Sequence, residues 1–311
     1  MKTIRELEVI RHRQIEGISV FFDTVDYRTP HFHPEWELLW MTDGALLMKC
    51  EQLSFTAQEG ELFLFSPGQV HEFQKAGESA TFLCVQIAET LVETVCPELG
   101  AIAVEDPCVN RYLSEAARTQ LRERMRSLTA SYLQQPLYYE LDCLGQCAAL
   151  LYEILTQIPC HTMTADEVAS ADKRNARLAR FIQFVDQNYT QNIRLSDFAT
   201  SEGCSVSYLS RFVRNALNQN FQEYVNSVRF HSACKQIAAG GKRMLDICEE
   251  TGFSDYRYFS AAFKKYSGLT PEEYSRQAVK PEDTHVRRSL HSSERFYSKE
   301  QSVQLLSELQ P

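Results

Sequence analysis

Nowhere in its 311 positions does the chain hold a run of about 18 apolar residues, the length a membrane-crossing helix needs. The opening stretch, MKTIRELEVIRHRQIEG, interrupts its hydrophobes with charge, so a secretory signal core is missing as well. Ten cysteines are present, yet none forms a C-x-x-C pair, which removes the usual zinc-ribbon and thiol-redox spacings. Cys143, Cys147, Cys204, Cys234 and Cys248 fall inside patterned segments, where a buried reduced thiol is the expectation. These absences predict a cytoplasmic protein with no membrane contact.

A surplus of positive charge is missing too, since the net charge is −9. An acidic chain is a poor partner for nucleic acid unless its charge is unevenly spread. Here it is uneven. Residues 173–280 carry 16 Lys and Arg against 10 Asp and Glu, a net of +6, and the rest carries 16 against 31, a net of −15. Only the basic segment suits a phosphate backbone.

A length of 311 residues at 44% hydrophobic content suffices for two cores. From residue 18 to about 106, short apolar or alternating runs recur: ISVFF, EWELLWM, ALLMKC, ELFLF and TFLCVQI. Thr42-Asp43-Gly44, Glu59-Gly60, Pro67-Gly68 and Gly77 read as turns between them. Many short strands predict a sandwich or small barrel. The period then changes. Leu121, Met125, Leu128, Tyr132 and Leu133 have helical spacing, as do Leu141, Leu144, Cys147, Ala148, Leu151 and Leu155, with Pro136 marking a break between two helices. The small, polar segment Pro159–Asp172 reads as a linker, followed by seven or so short helices up to about Gln277. The charged, Ser-rich end from Lys280 reads as a frayed tail with one weak helix near Ser302–Leu309.

The C-terminal half carries two similar motifs. In the stretch Asp197–Phe212, Gly203 is suited to stop a helix and Ser205 to cap the next. Phe198, Ala199, Leu209, Phe212 and Val213 supply the apolar contacts, leaving Ser207, Ser210 and Arg211 outward. In Leu245–Phe259, Gly252 again stops a helix, Ser254 can cap the next, and Asp255 adds negative charge to its first turn. Phe259 and Phe263 face inward; Tyr256, Arg257 and Ser260 face out, and Lys264 and Lys265 follow. Between the motifs, Phe221–Ala239 is patterned as one helix of about 19 residues, roughly 28 Å long. That is close to the ~34 Å between successive major-groove faces of B-DNA.

Residues 175–277 resemble the DNA-binding domain of AraC/XylS-family regulators. The features that carry the resemblance are A-x-x-x-G-x-S-x-S-Y-L-S-R at Ala199–Arg211 and G-F-S-D-x-x-Y-F-S-x-x-F-K-K-Y-S-G-L-T-P-x-x-Y at Gly252–Tyr274. Val213, Asn218, Arg257, Ala261 and Ser275 depart from the usual pattern. The resemblance implies double-stranded DNA as partner. Ser207, Ser210, Arg211, Arg257 and Ser260 are the candidates for base edges, Arg214, Lys264 and Lys265 those for phosphate, and Tyr256 is a further candidate for DNA contact.

Nearer the N-terminus, His31-x-His33-x3-Glu37-x6-Gly44 resembles the first cupin motif. Gly60 and Ser66-Pro67-Gly68-x-x-His71 resemble the second, with Ser66 where Pro is usual and Lys75 where Asn is usual. His31, His33, Glu37 and His71 are thus candidates to line an effector pocket, with Trp36 and Phe65 beside them. The aromatics Trp36, Trp40, Phe63, Phe65 and Phe73 either stack on a sugar or aromatic effector or are simply core. The expectation is a pocket for an organic effector, with no metal and no cofactor. The alternative is that the three imidazoles and the carboxylate bind a divalent transition metal.

The expected fold class is α+β multidomain, combining a cupin-like barrel with an all-α domain of two helix-turn-helix units. The expected divisions are the barrel at 1–106, a helical dimerisation element at 107–160, a linker at 161–174, the double helix-turn-helix at 175–277 and a tail without assigned role at 278–311. The resulting reading is a ligand-responsive, homodimeric transcription regulator rather than an enzyme. The rival reading is a metal-dependent cupin enzyme with a helical appendage.

Overall fold

A computed structural model describes residues 15–50, 52–93, 95–277 and 293–309. They form two compact units, one of residues up to Asn175 plus the segment from Glu294, the other beginning at Ala176.

The first unit is a β-barrel with helices on one face. Its main strands are β1 (Ile18–His31), β2 (Glu35–Cys50), β3 (Leu53–Gln58), β4 (Leu62–Phe65) and β5 (His71–Ala88). The sheet runs β3-β2-β5-β1, and β4 pairs with β2. Alternation along the strands sorts side chains into two cores. Ile18, Phe22, Trp36, Leu38, Trp40, Val85 and Ile87 pack on one side. Leu39, Met41, Met48, Phe63, Phe65, Phe73 and Phe82 pack on the other. After α1 (Glu89–Glu93) and β6 (Ile102–Val104) come α2 (Glu115–Gln134) and α3 (Tyr139–Leu155). These two helices cover the first core with Leu121, Met125, Leu128, Cys147, Leu150, Leu151 and Ile154. The break falls at Gln135–Tyr138, around Pro136, with Gln135 and Tyr138 both left-handed.

Four sequence expectations are corrected in this unit. Thr42-Asp43-Gly44 and Gly77 are not turns between strands. Gly44 lies at a bulge within β2, and both β2 and β5 run straight through these signals. Gly44 has φ +72°, and a Cβ there would sit 2.0 Å from the Ser79 carbonyl oxygen, so the bulge requires glycine on both counts. The linker segment is regular: β7 (Cys160–Thr162) pairs with β6, and α4 (Ala165–Asn188) begins soon after. Its small residues lack an apolar stripe but do not oppose a helix. Of the expected apolar face of α3, Leu141 is 70% exposed and Leu144 37%, while Cys143, Cys147, Leu150, Leu151 and Ile154 are buried. The tail also has a place. Its strand β8 (Ser293–Phe296) joins the sheet beside β1, and α11 (Lys299–Glu308) lays Leu305 and Leu306 on the first core.

The second unit is helical: α5 (Leu195–Glu202), α6 (Val206–Leu217), α7 (Phe221–Ala239), α8 (Met244–Glu250), α9 (Tyr256–Ser267) and α10 (Pro271–Gln277) follow the latter part of α4. Gly203 stops α5 in the left-handed conformation and Ser205 caps α6, its side chain accepting from the Tyr208 N–H. Asn218 closes α6 at φ +51°. In the second motif the cap is Asp255, not Ser254; its carboxylate accepts from the N–H groups of Arg257 and Tyr258. A carboxylate is the stronger acceptor at a helix start, which favours Asp255 over its neighbour.

Candidate ligand site and nucleic-acid interface

The barrel brings together the four polar residues picked out from the sequence. His31 ends β1 and pairs with His71 at the start of β5. Glu37 lies on β2 opposite Phe65 of β4 and Gln86 of β5. His33 lies in the short connection before β2. One donor atom from each of His31, His33, Glu37 and His71 lies within 4.8 Å of all the others. His33, Glu37 and His71 are buried.

Each ring is held from behind by a backbone carbonyl. Nδ1 of His31 donates to the Thr29 oxygen at 2.9 Å, that of His33 to Glu35 at 3.1 Å and that of His71 to Gln69 at 2.9 Å. A carbonyl only accepts, so Nδ1 carries the proton in each ring, and Nε2 of a neutral ring carries the lone pair. Nε2 of His33 meets the Glu37 carboxylate, which also accepts from the Gln86 amide at 3.2 Å. Nε2 of His71 is 3.7 Å from the same carboxylate. Among the described residues it has no hydrogen-bond partner, although it is buried.

Burial lowers the pKa of His31 and of His71 well below the ordinary imidazole value, so both rings are neutral near pH 7. Burial opposes charge on Glu37, but the His33 and His71 rings and the His33 hydrogen bond outweigh it and hold the carboxyl below its usual value. Phe65 stacks on His71 with ring centroids 4.5 Å apart, and Phe73 lies 5.7 Å from His31. Trp36 is not part of this cluster. Because neighbours on a strand face opposite ways, an inward Glu37 sends Trp36 to the helix-covered core. Trp40 goes with it, while Phe63, Phe65 and Phe73 stay on the cluster's side.

Sequence reasoning missed Arg28 and Glu294. They form a buried ion pair between β1 and the tail strand, with Nη1 2.5 Å from Oε1. No spacing rule links residues so far apart.

In the helical unit, Ser207, Ser210, Arg211 and Arg214 are exposed along α6, opposite buried Leu209, Val213 and Leu217. On α9, Arg257, Lys264 and Lys265 are exposed and Ser260 is half-buried. Tyr256 differs from expectation. Its hydroxyl donates to the Glu272 carboxylate of α10 and its ring lies 5.4 Å from Phe259, so it ties helices together. The exposed aromatic of α9 is instead Tyr258, 64% accessible, which helical spacing places on one outer face with the exposed Ala261 and Lys265. Lys264 donates to the Gly268 carbonyl at the end of its own helix. Among the described residues no helix is long and apolar enough to cross a membrane.

Two helix-turn-helix units on a scaffold, with a separate barrel that gathers buried polar groups, define a DNA-binding regulator with a ligand-binding domain. Comparison with known families agrees. The AraC-like ligand binding domain matches residues 13–140 and a helix-turn-helix domain matches residues 198–277. The chain belongs to the AraC-type helix-turn-helix transcription regulators. It is 22% identical over 253 residues to the uncharacterized HTH-type transcriptional regulator YbfI of Bacillus subtilis, covering 81% of this chain and 88% of that one. It is 19% identical to YdeC of the same organism, covering 86% and 95%. Among solved structures, ToxT from Vibrio cholerae matches with TM-score 0.42 and 14% identity, covering 85% of this chain and all of that one.

Proposed function

We propose that this regulator works as a homodimer in the cytoplasm, that it is not an enzyme, and that its effector binds in the barrel at the His31, His33, Glu37 and His71 cluster. Base edges are read by Ser207, Ser210 and Arg211 of α6 and by Arg257, Tyr258 and Ser260 of α9, with Arg214, Lys264 and Lys265 on phosphate. The observation that carries the reading is the pair of matched turns, Gly203 to Ser205 and Gly252 to Asp255, each opening a helix with an exposed basic face. The divisions taken from the sequence stay in use with two changes: the described end of the tail, from Glu294, goes with the barrel, and α4 replaces the irregular linker.

The test uses the full chain and a pool of random duplexes. Repeated selection yields a preferred site, and affinity for it falls steeply with added salt as counterions leave the phosphates. Arg211→Ala loses about 1–3 kcal/mol at that site and relaxes preference at one position, whereas Arg214→Ala weakens all duplexes alike. No enrichment, or salt-independent binding, refutes the assignment.

A further inference from the structure

We propose that His31, His33, Glu37 and His71 bind one divalent first-row transition-metal ion, and that this ion is the ligand the barrel senses. The inference rests on the regulator reading above and names the chemistry of its effector. It reverses the metal-free expectation drawn from the sequence.

Three observations lead to it. First, the donors converge. Ligand atoms around an ion at ~2.1 Å stand about 3–4 Å apart, and the four donor atoms lie within 4.8 Å of one another, so small side-chain movements close the shell. Second, the rings are already prepared. Each Nδ1–H is anchored on a backbone carbonyl, the outer hydrogen bond that fixes the tautomer of a ligating histidine and aims Nε2 at the ion. Third, the cluster is incomplete by itself. His71 Nε2 is a buried lone pair without a donor. Beside it, with Nδ1–H committed to Glu35, Nε2 of a neutral His33 would set a lone pair against the Glu37 carboxylate. A proton on Nε2 relieves His33 alone, whereas one metal ion between the groups takes the lone pairs of all of them at once.

The donor chemistry selects the class of ion. Three imidazoles and one carboxylate suit Mn(II), Fe(II), Co(II), Ni(II) or Zn(II), not Mg(II) or Ca(II), which prefer all-oxygen shells. Hydroxyls of an organic effector would meet these groups one or two at a time, whereas an ion is held by all four at once. The surroundings fit an ion as well. Phe65 and Phe73 wall the rings, and the nearby positive charge of Arg28 is offset by Glu294.

The full chain, stripped with a chelator and dialysed, is titrated with Co(II) and with Zn(II). Expected are one ion per chain by elemental analysis, visible Co(II) absorption, a raised Tm, and a change of about 5-fold or more in affinity for the selected duplex. Glu37→Gln keeps the shape of the side chain and removes its charge, and should weaken metal binding at least about 10-fold. His71→Asn is the second variant. The Tm of each in chelator, compared with that of the native chain, reports folding apart from binding. Substoichiometric metal, undiminished binding by Glu37→Gln and His71→Asn, or equal DNA affinity with and without the ion overturns the proposal. DNA binding by the stripped chain separates the two readings. If it persists where metal binding fails, only this inference falls; if metal binds and DNA does not, the regulator reading falls.

Discussion

Gly203 and Gly252 occupy equivalent turns and both have positive φ, +62° and +82°, but their surroundings differ. A Cβ on Gly203 meets nothing within 4 Å, whereas one on Gly252 would sit 2.6 Å from the Tyr189 carbonyl oxygen and 2.7 Å from the Thr190 Cα. Backbone cannot yield as a side chain end can. Gly203→Ala therefore costs only the left-handed penalty, about 1 kcal/mol. Gly252→Ala adds a backbone displacement and costs about 3 kcal/mol. Urea unfolding of the full chain, followed through the helical unit, distinguishes them; equal losses would show that the loop before α5 moves aside freely. Sequence alone marked both glycines as helix stops but could not rank them, because the ranking depends on a segment some 60 residues away. The same limit applied to Trp36. Its neighbour Glu37 was visible as a candidate donor, but which strand face held the donors became clear only once β4 and β5 were seen beside β2.

Among the elements, strands were legible as apolar runs, but their lengths were not. Bulges put turn-like residues inside β2 and β5, and local composition reads a bulge and a turn alike. The strand β8, with sequence SERF, is four residues long and polar, so no alternation announced it. It is held by partners on β1. The Arg28–Glu294 pair is buried, Phe296 lies 5.3 Å from Phe21, and the Tyr297 hydroxyl is 2.7 Å from that of Thr24. Glu294→Ala takes the carboxylate from a buried guanidinium and should cost on the order of 3 kcal/mol. Most of that loss falls on the docking of β8. Trypsin should then cut after Arg295 much faster than in the native chain, since cleavage requires the strand to leave the sheet. Unchanged cleavage and an unchanged Tm would mean that the aromatic contacts alone hold it.

At the scale of the whole molecule, the double helix-turn-helix was the most legible feature because each piece is local: a stop, a cap and an inward stripe within about 20 residues. Association between chains is not local, and α3 bears on it. Leu137, Tyr138, Leu141 and Tyr152 are 83%, 69%, 70% and 72% exposed, and Leu144 is 37% exposed. Leu141, Leu144, Ala148 and Tyr152 repeat every three or four residues, so they form one stripe opposite the buried Cys143, Cys147 and Ile154. Between them, a Cβ on Gly145 would meet nothing within 4 Å, so the middle of the stripe is open enough for a second helix to approach closely. If the chain pairs as proposed above, this exposed apolar stripe is the surface for it, one copy of α3 set against the other. Leu141→Asp with Tyr152→Asp should convert dimer to monomer in sedimentation equilibrium. The fold should be nearly undisturbed, within about 0.5 kcal/mol per site, because neither side chain packs inside its own unit. Since a dimer engages two half-sites at once, the same double variant should lose about 100-fold in affinity for a two-site duplex and little for a single site. A variant that stays dimeric moves the interface elsewhere on the chain; one that turns monomeric with no loss on the two-site duplex separates dimerisation from operator binding.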